Sequence, residues 1–148
     1  MAEVKILIKG YTSADSLKTS EVETTCPTIT LIKDGKNIIV VDPGVLESQD
    51  VLKNKLADEG VKIEDVNYVF LTHSHPDHHM NTGMFAKAKK LEFYGLWDGN
   101  QCLEWQPSFS DSVEIVKTPG HSNDSLTFLV KTNLGKIAIC GDVFWKDN

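Results

Sequence analysis

The stretch "THSHPDHHMN", Thr72 to Asn81, places four histidines and one aspartate between His73 and His79. Imidazoles crowd at a cost, because each protonation repels the next. Neutral imidazole and carboxylate are good ligands for a divalent cation, and a shared cation removes that cost. In extended backbone, side chains i and i+2 share a face, so His73 and His75 are expected to converge on one ion while Ser74 points away. Pro76 lacks a donor and keeps His75 out of helical geometry. Asp77 and His78 then turn into a helix start and aim at a second ion. His79 would point opposite to His78 and is expected outside the cluster. The run is internal and follows an apolar segment, which sets it apart from a purification tag or a solvated loop.

The elements that must hold this cluster are readable around it. Short β-branched runs, "VKILIKG" from Val4, "TITLIKDGK" from Thr28 and "NIIVVD" from Asn37, suggest an antiparallel start, the last two joined through the pair Asp34-Gly35. Apolar positions at Val51, Leu52, Leu56 and Ala57 follow Ser48, with Asp50 in the opening turn and Gly60 at the stop. That pattern predicts a capped helix. "VNYVFLT", Val66 to Thr72, reads as a buried strand that delivers the histidines from its carboxyl end. Two more strands, around Val113 to Thr118 and Leu126 to Lys131, lead through the Asn133-Leu134-Gly135 turn to "KIAICGD".

Composition limits the alternatives. The 148 residues suit one domain, and 41% hydrophobic content suits a globular core. With 21 acidic against 15 basic residues the formal net charge is −6, so no broad electrostatic footprint for nucleic acid is evident. No apolar stretch reaches membrane-spanning length, the amino terminus is too charged for a signal h-region, and a cytoplasmic location is expected. Cys26, Cys102 and Cys140 are odd in number and widely spaced, which fits reduced thiols. The aromatic segment Leu91 to Phe109 reads as core and loop anchors more readily than as a pocket wall, and "KAKK", Lys87 to Lys90, as a solvated face.

The His-x-His-x-Asp-His pattern resembles the loop of the metallo-β-lactamase-fold hydrolases, and the likeness continues along the chain. "VVDPG" resembles that family's first motif, which makes Asp42 a brace for the histidine loop. "TPGHS" supplies His121, and "ICGDVF" supplies Asp142, where the family places a metal-bridging carboxylate. The resemblance implies an α/β fold, the αβ/βα sandwich. It implies one metal on His73, His75 and His121, with Asp142 reaching it, and a second on Asp77, His78 and Asp142. The family completes its second site with a later histidine and its fold with a later strand and helices. His121 is the last histidine here, so the domain 1–148 is expected to lack the C-terminal part. A complementing chain or homo-oligomer at an exposed core edge near Asn148 is a corresponding expectation.

The expected chemistry is zinc-dependent hydrolysis. Zinc lowers the pKa of bound water from about 15.7 to about 7, and metal-bound hydroxide would attack an ester, thioester, lactam, lactone or phosphodiester bond. Asp77 would orient that nucleophile and carry a proton to the leaving group. Iron or manganese suits the same ligands. The runs "LIKGY" and "GDVFW" further resemble a subgroup, the metallo-β-lactamase domain-containing protein 1 group, which implies RNA as an alternative to a small-molecule substrate. Two rivals remain open. A persulfide dioxygenase of this fold would use one iron on His73, His121 and Asp142, and a non-catalytic fragment would keep the ligands without turnover. The diiron flavoprotein branch fits less well, because it places Glu where His75 stands.

Overall fold

The computed structural model describes residues 1–13 and 22–144. Trp145 of "GDVFW" and the expected core edge at Asn148 lie outside them. The strands are β1 (Glu3–Ile8), β2 (Tyr11–Thr12), β3 (Thr25–Cys26), β4 (Ile29–Asp34) and β5 (Asn37–Val41). Helix α1 (Gln49–Asp58) leads to β6 (Tyr68–Phe70), and the one-turn helix α2 (Pro76–His79) precedes β7 (Lys89–Glu92), β8 (Gly95–Asp98) and β9 (Gln101–Leu103). The chain continues through β10 (Val113–Lys117), β11 (Leu126–Thr132) and β12 (Gly135–Ile139). A seven-stranded sheet runs in the order β1-β4-β5-β6-β7-β8-β9, and a three-stranded sheet in the order β10-β11-β12.

The opening is antiparallel, as expected, but the β4–β5 turn is shifted by one residue. Asp34 pairs with Asn37, so the loop is Gly35-Lys36. Gly35 carries a φ of +61° at the first central position and Lys36 no positive φ, the pattern of a type II′ turn. Strands β5, β6 and β7 are parallel neighbours, which requires crossovers, and α1 forms the first of them. Ser48 caps α1 by accepting the Asp50 N–H, Leu52 and Leu56 face inward, and Gly60 ends the turn at φ +70°. Parallel strands put their carboxyl ends on one side. Asp42, Thr72 and Phe93 therefore follow β5, β6 and β7 at the same end of the sheet.

Alternation along the strands builds two apolar layers. Ile32, Ile39, Val41, Phe70 and Leu91 face the small sheet, where they meet Val113, Ile115, Leu126, Phe128 and Val130. Leu31, Val40 and Val69 face the other way and pack with Leu52 and Leu56 of α1. Phe93, Trp105 and Phe109 pack against the first layer, so the aromatic segment is largely anchoring, while Tyr94 and Trp97 are exposed. The "KAKK" run is not simply a solvated face. Ala88 is buried and β7 begins at Lys89, in register with Tyr68 of β6; Lys90 Nζ donates to the carbonyls of Phe85 and Ala88, and Lys89 pairs with Asp98.

The inter-sheet layer should dominate stability. Phe128 is fully buried, with its ring centroid 4.9 Å from that of Phe70. Phe128→Ala should cost about 3–5 kcal/mol in urea unfolding. Leu134→Ala, in an exposed turn, should stay within about 0.5 kcal/mol. Equal effects would show that the layer is not the principal core.

Candidate metal centre

The histidine cluster starts where β6 stops. Leu71 N–H still donates to the Leu91 carbonyl, and Leu126 N–H donates to the Thr72 carbonyl at 2.7 Å. The histidine loop is thereby attached to both sheets. His75 remains extended, at φ −66° and ψ 139°, and Pro76 occupies the first position of α2, where its missing donor costs nothing. The His-x-His pair converges as its spacing requires, with His73 Nε2 and His75 Nδ1 3.0 Å apart.

Asp42 holds this loop from beneath. Its Oδ1 accepts the Thr72 N–H at 2.8 Å, and its Oδ2 accepts the Thr72 hydroxyl at 2.6 Å and His78 Nδ1–H at 3.0 Å. Thr72 spends its one hydroxyl proton on Asp42, so Oγ1 accepts from His73 Nδ1–H at 3.2 Å. Both histidines therefore turn their Nε2 atoms inward. Asp42 adopts a φ of +49°, a backbone state that Asp tolerates better than most residues and that is often kept at functional sites. Gly141, at φ +52°, sits so close that an added Cβ would collide with the Thr72 side chain.

The distant residues arrive at the same point. His121 Nε2 lies 3.0 Å from His75 Nδ1. Asp142 Oδ2 lies 3.5 Å from His78 Nε2, 3.6 Å from His121 Nε2 and 3.9 Å from His73 Nε2. Two donor sets result among the described residues: His73, His75 and His121, and His73, His78 and Asp142. Asp77 is brought to the edge of the second set, its Oδ2 3.7 Å from His78 Nε2 and hydrogen-bonded by Thr25 Oγ1 at 3.2 Å. His79 belongs to neither set. Tetrahedral zinc with bonds of about 2.05 Å spaces its ligand atoms about 3.4 Å apart. The observed separations of 3.0–3.9 Å fit a small divalent ion.

The electrostatics agree with the geometry. Burial, then the neighbouring His78, lowers the His73 pKa to about 4. Burial would lower that of His78 too, but its hydrogen bonds to the Asp142 and Asp42 carboxylates raise it to about 10. Burial would raise the Asp142 carboxyl, and the hydrogen bond and charge of His78 outweigh it, leaving its pKa lowered. The cluster thus stabilises one positive charge beside its carboxylates. An open cavity of about 460 Å³ lies alongside, lined in part by Thr25, Cys26, Asp42, His78, Cys140 and Asp142. Burial and the charge of Asp77 raise the Cys26 pKa, so its thiol stays neutral and is a poor nucleophile.

Five of the six histidines and carboxylates singled out by spacing and resemblance fall in the two donor sets, with His73 in the second set where Asp77 was expected; Asp77 lies at its edge, and Asp42 hydrogen-bonds Thr72 and His78 beneath them. Thr72 and Thr25 escaped the sequence reading. A hydroxyl directly before His-x-His is a usable signal for Thr72; nothing near Thr25 marks it.

Residues 27–95 match the profile described as the metallo-beta-lactamase superfamily. The chain is 30% identical to metallo-beta-lactamase domain-containing protein 1 of Xenopus laevis, over 97% of this chain and 64% of that protein. It is 35% identical to the Homo sapiens protein of that name, over 74% of this chain and 44% of that one. It therefore spans less than two thirds of the length of either relative. A solved putative metallo-beta-lactamase from Thermotoga maritima superposes with a TM-score of 0.75 at 24% identity, covering 93% of this chain and 77% of that one. With the fold, the motif order and these relatives in agreement, the chain belongs to the metallo-β-lactamase superfamily.

Proposed function

We propose that this chain carries the metal centre of a zinc-dependent hydrolase acting on an ester, thioester, lactam, lactone or phosphodiester bond. The observation that carries the reading is the position of Asp142, whose Oδ2 faces the Nε2 atoms of His73, His78 and His121 at 3.5–3.9 Å. One carboxylate oxygen borders both donor sets, the placement a bridging ligand requires. His73, His75 and His121 would hold one ion; His78 and Asp142, with Asp77, would hold a second.

A bound zinc supplies Lewis acidity and lowers the pKa of the water it holds. The chain's own residues do the rest. Asp42 and Thr72 fix the tautomers of His73 and His78 so that lone pairs face the centre. Thr25 fixes the Asp77 carboxylate, which is placed to hold a proton destined for the leaving group. The adjoining cavity gives the reacting bond room beside His78 and Asp142. The overall negative charge would not oppose an anionic substrate here, because the local field of bound ions would dominate.

Elemental analysis of protein purified without added metal tests the reading, with two zinc ions per chain as the expected result. One iron per chain with oxygen uptake would favour the dioxygenase chemistry. Metal binding without cleavage of any of these bond classes would favour a binding fragment. Asp77→Ala should retain the ion on His73, His75 and His121 and lower turnover by about 10²–10⁴-fold. Unchanged turnover would remove Asp77 from proton transfer.

The pKa shifts set a pH profile for the metal-free protein. His73 is lowered from 6.5 to about 4, so its contribution is present above 6.5 and lost as pH falls through 4. His78 is raised from 6.5 to about 10, so its contribution is present below 6.5 and lost as pH rises through 10. Chelator-treated protein should be most stable to urea near pH 6.5 and weaken on both sides. A flat profile between pH 5 and 9 would contradict this charge arrangement.

A further inference from the structure

The loop that presents His121 must be held against the loop that presents His73 and His75, and apart from the clustered ligand side chains themselves nothing described so far does this. Asp124 does. Its Oδ2 accepts the Ser74 backbone N–H at 3.0 Å, and its Oδ1 accepts the Ser122 hydroxyl through a short hydrogen bond. Ser74 is the residue between the two converging histidines, and its side chain is exposed. Ser122 directly follows His121. One carboxylate therefore grips both ligand-bearing segments.

The surrounding backbone gives this grip leverage. Thr118 N–H donates to the Ser125 carbonyl, and Gly120 and Ser125 N–H groups both donate to the Ser122 carbonyl, so the 118–125 loop is closed on itself. A closed loop moves as a unit. Besides the contact of His121 with His75, it is attached to the histidine segment by the Leu126 N–H bond to the Thr72 carbonyl, just past its end, and by Asp124, two residues earlier. Two points fix an orientation where one would leave a hinge. Burial would raise the Asp124 carboxyl, but the Ser122 and Ser74 hydrogen bonds outweigh it and hold its pKa below the ordinary value.

We propose that Asp124 is a positioning residue that sets the 3.0 Å approach of His121 to His75, and thereby the zinc affinity of the His73, His75 and His121 set. The inference rests on the metal-centre reading above. The work is done by its two hydrogen bonds, to Ser74 N–H and to Ser122 Oγ, rather than by its charge. Asn preserves the arrangement: its Oδ1 accepts from Ser74, and its Nδ2 donates to Ser122 Oγ, which can accept as well as donate.

The test compares wild type, Asp124→Ala, Asp124→Asn and Ser122→Ala by zinc competition against a chromophoric chelator. Hydrogen exchange at the Ser74 amide and thermal midpoints are measured on the metal-free proteins. Asp124→Ala should lose about 10- to 100-fold in affinity for the first zinc and expose the Ser74 amide to exchange. Asp124→Asn should stay within about threefold of wild type, a rescue set by its retained acceptor and donor. Ser122→Ala cuts only one arm, so it should keep Ser74 protected and fall in between, which serves if the Asp124→Ala protein does not fold. Wild-type affinity in Asp124→Ala, with only its thermal midpoint lowered, would overturn the proposal, as would Asn behaving like Ala. A wild-type protein that binds no zinc would sink the metal reading instead. Ser74 exchange in the metal-free variants would then decide alone: unchanged exchange in Asp124→Ala would overturn the clasp, and faster exchange would support it.

Discussion

Three hydrogen bonds converge on one buried carboxylate, Asp42, and the arrangement of the whole site depends on them. A carboxylate 2% exposed is costly to desolvate unless its lone pairs are used, and Thr72 N–H, Thr72 Oγ1–H and His78 Nδ1–H use them. Each of these donors belongs to the segment that carries the ligands. The energetic need of the carboxylate and the geometric need of the histidines are met by the same contacts. Replacing Asp42 by an apolar residue would strand the Thr72 amide and free two imidazoles to choose other tautomers.

Positive charge is the second constraint. Buried His73 is pushed toward neutrality while His78, between Asp42 and Asp142, is held as an imidazolium. Without an ion the imidazolium of His78 donates Nδ1–H to Asp42 and turns Nε2–H toward Asp142; an ion would displace the Nε2 proton alone, and Nδ1–H would stay on Asp42. The cluster is arranged for a cation in either condition. This accounts for the observation that opened the sequence reading, four histidines within a few positions, without requiring that all be neutral or that all ligate. His79, which joins neither donor set, needs no part in it.

Much of this was legible in the chain because it depends on local rules. The α1 helix declared itself through Ser48, the inward Leu52 and Leu56, and Gly60. The extended His73–His75 pair and the helix start at Pro76 followed from side-chain period and proline stereochemistry. His121 and Asp142 were placed by resemblance, since spacing alone cannot bring residues 46 or more positions away to His75. What stayed hidden depended on approach in space. The Asp34-Gly35 reading missed by one residue because either offset satisfies a glycine at positive φ, and only strand register separates them. Lys89 and Lys90 looked solvated, yet their stems lie in a strand and their ammonium groups find carbonyls and Asp98. Thr25 and Asp124 are ordinary polar residues until the fold brings them against partners 52 and 50 positions away in sequence.

The site stands where two sheets meet, and that location explains how loops can hold ligands in a fixed arrangement. A loop attached to one sheet has a hinge. The 72–75 segment continues β6 of the large sheet, and its Thr72 carbonyl accepts from Leu126 at the start of β11 in the small sheet. The layer of Phe70, Leu126 and Phe128 fixes the distance between those sheets, so a change in core packing is transmitted to the spacing of His73 and His121. Asp42 then sets rotation of the rings, and Gly141 lets the Asp142 segment approach Thr72 closely enough for its carboxylate to reach all three Nε2 atoms. Core, brace and ligand thus form one mechanical sequence, in which the apolar layer supplies stiffness and the carboxylates supply direction.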